Sequence, residues 1–293
     1  MTFWQQLGEE ISKTLATPFT IAAYDSVAGG DISTAYRLRS GGGEYYFIKT
    51  HDAGFVEMFA AEAEGLMDMA ASKTIRVPQV HAWGVIGQQS YLLMEYLQLG
   101  NKGSDELLGR QLAAMHGCRG SKFGWQRNNT IGLTQQDNSP SDNWIEFWRW
   151  RRLSAQLALA EQKGYGGSLL EKGQRVLEGF DCLFGTYIPQ PSLLHGDLWS
   201  GNYGFDENAQ PVLFDPATYY GDREADLAMT ELFGGFGERF YAAYNEAWPL
   251  DEGYQVRKRL YNLYHILNHL NLFGRAYAGQ AEQMMDRLLS EIQ

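Results

Sequence analysis

Cysteine is almost missing from this chain: two in 293 residues, Cys118 and Cys182. Their wide separation excludes a disulfide framework and any cysteine-based metal or redox motif, and it fits a reducing compartment. Proline is scarce, with 8, and no stretch is low in complexity, so long disorder is not expected. No apolar run reaches the ~18 residues a membrane span requires. The N-terminal MTFWQQLGEEISK has neither the basic start nor the apolar core of a secretory leader. Cations are in deficit too: 24 Lys and Arg face 35 Asp and Glu, a formal net charge of −11. Nucleic-acid binders take most of their affinity from phosphate neutralisation, so this balance excludes that class. The expectation is a soluble, cytoplasmic protein. What the chain does have is apolar and aromatic side chains, 44% and 14% of the total, enough to bury a sizeable core. Its length corresponds to about two domains, or one domain in two lobes, at ~150 residues each.

Periodicity separates the chain into two parts. Thr20 to Val27 and Ser33 to Leu38 read as strands on either side of the turn Ala28-Gly29-Gly30-Asp31. After a second glycine-rich turn, Ser40 to Glu44, comes the β-prone run Tyr45 to Lys49. Phe55, Met58, Phe59, Leu66 and Met69 recur at helical spacing, predicting a helix over Phe55 to Ala71. Val80 to Val85 and Tyr91 to Tyr96 form a predicted strand pair around Gly87. Beyond Leu97 the pattern turns helical: Asp105 to His116, Asn143 to Glu161, Ser168 to Phe184, Asp226 to Phe233, Arg239 to Ala247 and Gln255 to Phe273. One non-helical block, Ser192 to Thr218, lies among them. The reading is a small sheet-plus-helix lobe over residues 1–97 and a larger helical lobe over 98–293.

The chemistry is concentrated in that block. Leu193-Leu194-His195-Gly196-Asp197-Leu198-Trp199-Ser200-Gly201-Asn202 precedes Val212-Leu213-Phe214-Asp215-Pro216. A His-Gly-Asp turn alone is commonplace. The whole spacing, an Asp, an Asn five residues on and a strand-ending Asp thirteen beyond that, suits phosphoryl transfer. The first carboxylate can orient or deprotonate a hydroxyl, and the Asn carbonyl with the second carboxylate offers hard oxygens to Mg²⁺.

The block resembles the catalytic loop of the protein-kinase-like phosphotransferases, with Asp215-Pro-Ala in place of their Asp-Phe-Gly. More narrowly, HGDLWSGN, FDPATYYGDREADLAM and ELFGGF are similar to the fructosamine kinase (ketosamine-3-kinase) family. Phe47-Ile48-Lys49, Met58 to Leu66, Met94-Glu95-Tyr96 and Asn268 to Arg275 extend the resemblance over nearly the whole chain. It implies an α+β, two-lobed protein-kinase-like fold with the active cleft between the lobes. It also implies ATP and Mg²⁺, a ketosamine acceptor that is either a small molecule or protein-bound, and transfer to the 3-hydroxyl.

Further residues follow from the resemblance. Asp197 is the implied catalytic base, and Asn202 and Asp215 the metal ligands. Lys49 is the phosphate-binding lysine and Glu62 its helix partner. Glu57 and Glu64 compete for that place, but the Met58-Phe59-x-x-Glu62 pattern and its two-turn spacing from Phe55 favour Glu62. Gly29 and Gly30 lie in the loop expected to cover the phosphates, although the sequence is not G-x-G-x-x-G. Some family members carry a cysteine where this chain has Asp31, so redox control through this loop has no basis here. Backbone groups of Glu95 and Tyr96 are the implied adenine contact, and Asp226 the acid that braces the catalytic loop and opens a helix. Trp199 divides evenly between stacking on a sugar face and packing within its own lobe. Asn268, His269 and Asn271 either line the acceptor site or are satisfied core polars, the second being the favoured reading. Two other functions stay open: a kinase of the same fold acting on an aminoglycoside or choline, and a catalytically silent nucleotide-binding regulator. The presence of Lys49, Asp197, Asn202 and Asp215 together argues against the second.

Overall fold

The first three predicted strands pair as expected, and their side-chain alternation explains where Lys49 goes. The computed structural model describes residues 2–27 and 32–292. Ala28, Gly29, Gly30 and Asp31, the expected phosphate-covering turn, lie outside the described residues. Strands β1 (Ile21–Val27), β2 (Thr34–Ser40), β3 (Tyr45–Asp52), β4 (Val80–Ile86) and β5 (Gln89–Glu95) form an antiparallel sheet in the order β1-β2-β3-β5-β4. The interior strand β5 is buried through Ser90–Met94, the signature of a strand covered on both faces.

One cover is helix α1 (Phe3–Thr14), which the sequence reading did not identify. Thr2 and Gln5 cap it reciprocally, with Gln5 N–H donating to Thr2 Oγ1 and Thr2 N–H donating to Gln5 Oε1. Its Leu7 and Ile11 are fully buried against Leu38, Ile48, Ala82, Tyr91 and Leu93. Burial of that kind contributes about 1.5–3 kcal/mol per side chain. Ile48 therefore faces α1. Successive strand residues point to opposite faces, so Lys49 faces the other cover, helix α2 (Val56–Ala71).

The chain divides into two compact units. The first takes the residues up to Ser104 together with Gly204–Asp215; the second takes Asp105–Tyr203 and the residues from Pro216 onward. In the first, the segment 204–215 is held by local bridges, Gly100 with Phe205 and Arg76 with Val212. Arg76 also forms ion pairs with Asp206 and with Glu95, the latter at 2.7 Å.

In the second unit, α3 (Asp105–His116) opens a helical array. Short strands β6 (Asn129–Ile131) and β7 (Thr134–Gln136) precede α4 (Trp144–Trp148) and α5 (Ser154–Gln162). The single helix predicted there is interrupted by a π turn at Arg149–Leu153, which turns Arg152 inward. Its guanidinium is fully buried between the rings of Phe147 and Tyr219, at 4.7 and 4.3 Å, and donates to Asp137 O and Asn138 Oδ1. After α6 (Ser168–Gly179), β8 (Ser192–Leu194) pairs with β11 (Tyr219–Gly221); the pair formed by β9 (Tyr203–Phe205) and β10 (Pro211–Leu213) belongs, apart from Tyr203, to the segment 204–215 of the first unit. Helices α7 (Arg223–Thr230), α8 (Glu238–Ala247), α9 (Tyr254–Phe273) and α10 (Ala278–Glu291) complete the unit. α10 was not predicted, although its Ala281, Met285, Leu288 and Leu289 form a buried stripe. Among the described residues no helix is long and apolar enough to cross a membrane.

Candidate active site

The candidate residues fall in both units. Lys49, Glu62 and Asp215 belong to the first; Asp197, Trp199 and Asn202 belong to the second.

In the first unit, β3 holds Lys49 between β2 and β5, opposite Ala35 and Leu92. Its Nζ lies 2.7 Å from Glu62 Oε1 and 2.6 Å from Asp215 Oδ1. The Lys49 and Glu62 side chains are each 12% exposed, and that of Asp215 is 40% exposed. Burial alone would push the ammonium down, but Asp215 and Glu62 outweigh it and hold the pKa above the ordinary lysine range. Lys49 is thus a fixed, desolvated cation. Burial pushes the Glu62 carboxyl up, against the pull of Lys49. The competing Glu57 and Glu64 do not pair with Lys49. Asp215 adopts φ +58°, in the left-handed region that a non-glycine residue enters at a cost of about 1–3 kcal/mol. Such strain is tolerated where the surroundings fix it, and here the ion pair to Lys49 contributes to that.

The Glu95 carboxylate accepts from Arg76, and its N–H donates to Gln79 O at 2.8 Å. The Tyr96 ring lies 6.0 Å from that of Tyr45, with the Arg37 guanidinium 5.8 Å away. Both side chains are thus engaged within the first unit.

In the second unit, β8 runs directly into His195-Gly196-Asp197. The fully buried Asp226 accepts from His195 N–H at 2.7 Å and Gly196 N–H at 2.8 Å. His116 Nε2 stands 3.2 Å from the same carboxylate, and His116 Nδ1 is 2.8 Å from Tyr244 OH. Burial would raise this carboxyl, but His116, His195 and the Gly196 N–H hold it below the usual carboxylate range. Asp226 therefore braces the loop as an anion. It does not also cap its helix as expected: that task falls to Asp222, whose side chain accepts from Glu224 N–H.

Gly196 sits at φ +84°, and a Cβ there would stand 2.1 Å from Ala217 O. Only glycine fits. Asp197 N–H donates to His195 Nδ1 at 3.2 Å, which fixes that nitrogen as an acceptor. Asn202 is buried, and its Nδ2 donates to Asp197 O at 2.8 Å. The Trp199 ring is 38% exposed and lies over Gly201, where a Cβ would be 2.3 Å from Cη2. Ser200 Oγ donates to Phe233 O, tying the loop to the turn that carries Gly234 and Gly235.

Asn268 and Asn271 both bond to Gln156, and the His269 ring packs on Phe233 at 4.7 Å. His116 and Tyr244 were missed by sequence reasoning. A histidine ending an amphipathic helix gives no local sign that it will meet an acid 110 residues away. Among the described residues, no three His, Cys, Asp or Glu side chains gather as a metal cage. A metal held by this chain would draw ligands from few side chains and from phosphate oxygens, which is the coordination habit of Mg²⁺.

Residues 3–291 match the family model described as fructosamine kinase. The chain is 47% identical over 289 residues to a Synechocystis protein named as a probable ketoamine kinase, covering 98% of this chain and 97% of that one. It is 42% identical to the Arabidopsis thaliana chloroplastic protein-ribulosamine 3-kinase, covering 92% and 83%. A Haemophilus somnus protein solved under the provisional name fructosamine-3-kinase superposes with a TM-score of 0.89 at 26% identity, over 98% of this chain and all of that one. The ADP-bound aminoglycoside phosphotransferase APH(2'')-Ib superposes at 0.64 with 15% identity, over 95% and 98%; at that identity the likeness establishes the shared protein-kinase-like α+β fold alone.

Proposed function

The chain belongs to the fructosamine kinase family, and on that premise we propose that it transfers the γ-phosphoryl group of ATP to a sugar hydroxyl of a ketosamine. The acceptor is an amine-linked ketose such as a ribulosamine or fructosamine, free or carried on a protein. The observation that carries this reading is Lys49 Nζ clamped between Glu62 and Asp215 at 2.7 and 2.6 Å. That is the pairing a phosphate-binding lysine needs in order to stay charged and aimed. The Arabidopsis relative's name, protein-ribulosamine 3-kinase, supports the 3-hydroxyl as the site of transfer.

In this mechanism Lys49 holds the α- and β-phosphates, and Glu62 fixes its direction. Asp197 orients the acceptor hydroxyl and takes its proton as the oxygen bonds to phosphorus and the bond to ADP breaks. Asp226, through His195 and Gly196, keeps Asp197 in position. Asn202 and Asp215 are the oxygen ligands proposed for Mg²⁺, which when bound neutralises charge on the phosphates. Trp199 offers its half-exposed ring to the apolar face of the sugar. Gly29, Gly30 and the backbone at Glu95 and Tyr96 complete the proposed nucleotide contacts. Most of the rate then comes from positioning and fixed charge. A reducing, cytoplasmic location is part of the proposal and is supported by two cysteines that are both free thiols.

The test is ADP release with ATP and Mg²⁺ across ribulosamine, erythrulosamine, fructosamine, an aminoglycoside and choline. The expected result is turnover with ketosamines, abolished by chelating Mg²⁺. Preference for the aminoglycoside or choline contradicts the assignment, and so does ADP release that ignores the acceptor.

A further inference from the structure

The second unit contains a cavity of about 180 Å³ lined by Arg119, Tyr187, Ile188, Gln190, Ser192, Arg223 and Trp248. It carries none of the residues used above. Two arginines meet there on one ring: the Arg223 guanidinium lies 4.0 Å from the Trp248 ring centre and that of Arg119 lies 5.6 Å away. In a chain of net charge −11, neither forms an ion pair with a carboxylate among the described residues. Arg223 is nearly buried and donates only to neutral oxygens: Tyr244 OH at 3.2 Å, Trp248 O at 2.9 Å and Pro249 O at 2.6 Å. Those bonds use three of the five N–H donors of a guanidinium, and none involves Nε. The third feature is Ser192, fully buried, whose Oγ has no hydrogen-bond partner. Buried polar atoms are nearly always satisfied, and an exception beside two guanidinium groups that hold no carboxylate at ion-pair distance marks a missing acceptor.

We propose that this cavity is a binding site for a small phosphate-class oxyanion, gripped by Arg119 and Arg223 with the Ser192 hydroxyl donating to it. Its size suits inorganic phosphate or the phosphoryl end of a small metabolite and is too small for a nucleotide, since drug-sized ligand pockets run ~300–1,000 Å³. Guanidinium groups recognise such anions through paired N–H donors. The location bears on the catalytic loop. Arg119, Ser192 and Arg223 each stand three residues from a member of the Asp226 cluster, namely His116, His195 and Asp226 itself. Tyr244 OH joins the two sets by bonding both Arg223 and His116. An anion bound here rests on the three segments that hold Asp197 in place.

The test reads the site directly, so it is independent of whether the kinase assignment holds. The indole N–H resonance of Trp248 is identified by its loss in Trp248→Phe and followed during titration with inorganic phosphate, ribose 5-phosphate and acetate. The expected result is a saturable shift with one or both phosphates and none with acetate. Phosphate affinity should fall at least ~10-fold in Arg119→Glu, an exposed position whose change leaves the core untouched, and should weaken in Ser192→Ala. A Trp248 resonance that ignores phosphate, responds equally in Arg119→Glu, or moves only with acetate overturns the proposal.

Discussion

Replacing Gly196 by alanine isolates the geometry on which the second half of the site depends. The added Cβ would lie 2.1 Å from Ala217 O and 2.8 Å from Ala217 C, both backbone atoms. Contacts below 3.0 Å are essentially unknown for a Cβ, so the loop must move by about 0.9 Å. It is not free to do so. Ala217 N–H donates to His195 O at 2.8 Å, and both His195 and Gly196 donate to the buried Asp226 carboxylate. The left-handed φ costs about 1–2 kcal/mol for any L side chain. Weakening one hydrogen bond to a buried charge adds about 1.5–3 kcal/mol. The expected loss of stability is therefore about 3–4 kcal/mol. A displacement near 1 Å beside the reacting atoms lowers turnover about 10²-fold. ATP affinity should hold, because Lys49 lies in the other unit. Gly164 supplies the control: it has the same φ of +84° with nothing within 4 Å of its would-be Cβ. Gly164→Ala should lose only the dihedral part, about 1–2 kcal/mol, with turnover unchanged. Chemical denaturation and ketosamine-dependent ADP release, run on both variants, decide the matter. If Gly196→Ala matches Gly164→Ala in both measurements, the argument from the close backbone approach is wrong.

Two further outcomes follow from individual side chains. His265 is buried and its pKa is pushed down to about 3, first by burial and then by His269. The unfolded chain takes up that proton near pH 6.5 while the folded protein does not, so stability falls as pH drops below that value. The loss between pH 7 and pH 5 is about 2 kcal/mol, and His265→Gln should remove that slope in denaturation curves; an unchanged slope would assign the acid sensitivity elsewhere. Trp199→Ala removes the half-exposed ring over Gly201 and should raise KM for the ketosamine about 10-fold, from the ~0.5–1.5 kcal/mol of a ring contact plus its buried area. KM for ATP should stay constant. An unchanged ketosamine KM would leave Trp199 as loop packing.

The legibility of this chain followed the range of each interaction. β3 and α2 were readable because period-2 and helical patterns are local, and Lys49 and Glu62 each lie on one of those two elements. The His-Gly-Asp loop was readable because its spacing carries the chemistry. α1 escaped because its apolar stripe, Leu7 and Ile11, is short and gains its meaning only from the sheet it covers. The π turn escaped because Arg149–Leu153 reads as ordinary helix; only the buried seat of Arg152 between Phe147 and Tyr219 selects the extra residue. The left-handed Asp215, and the Asp226–His116–Tyr244 chain, depend on partners over a hundred residues distant, and no sequence period encodes those. The assignment of helix capping to Asp226 failed for a related reason. Asp222 and Asp226 are both acids near one helix start, and only the position of the catalytic loop decides which of them turns toward it.

The most direct test of the central claim is single-turnover phosphorylation of a ribulosamine by wild type and Asp197→Ala, with Mg·ATP affinity measured on the same preparations. The account predicts a loss of at least ~10² in the transfer rate with the ATP dissociation constant nearly unchanged. Near-normal transfer by Asp197→Ala would contradict it, because no other carboxylate is assigned to take the hydroxyl proton.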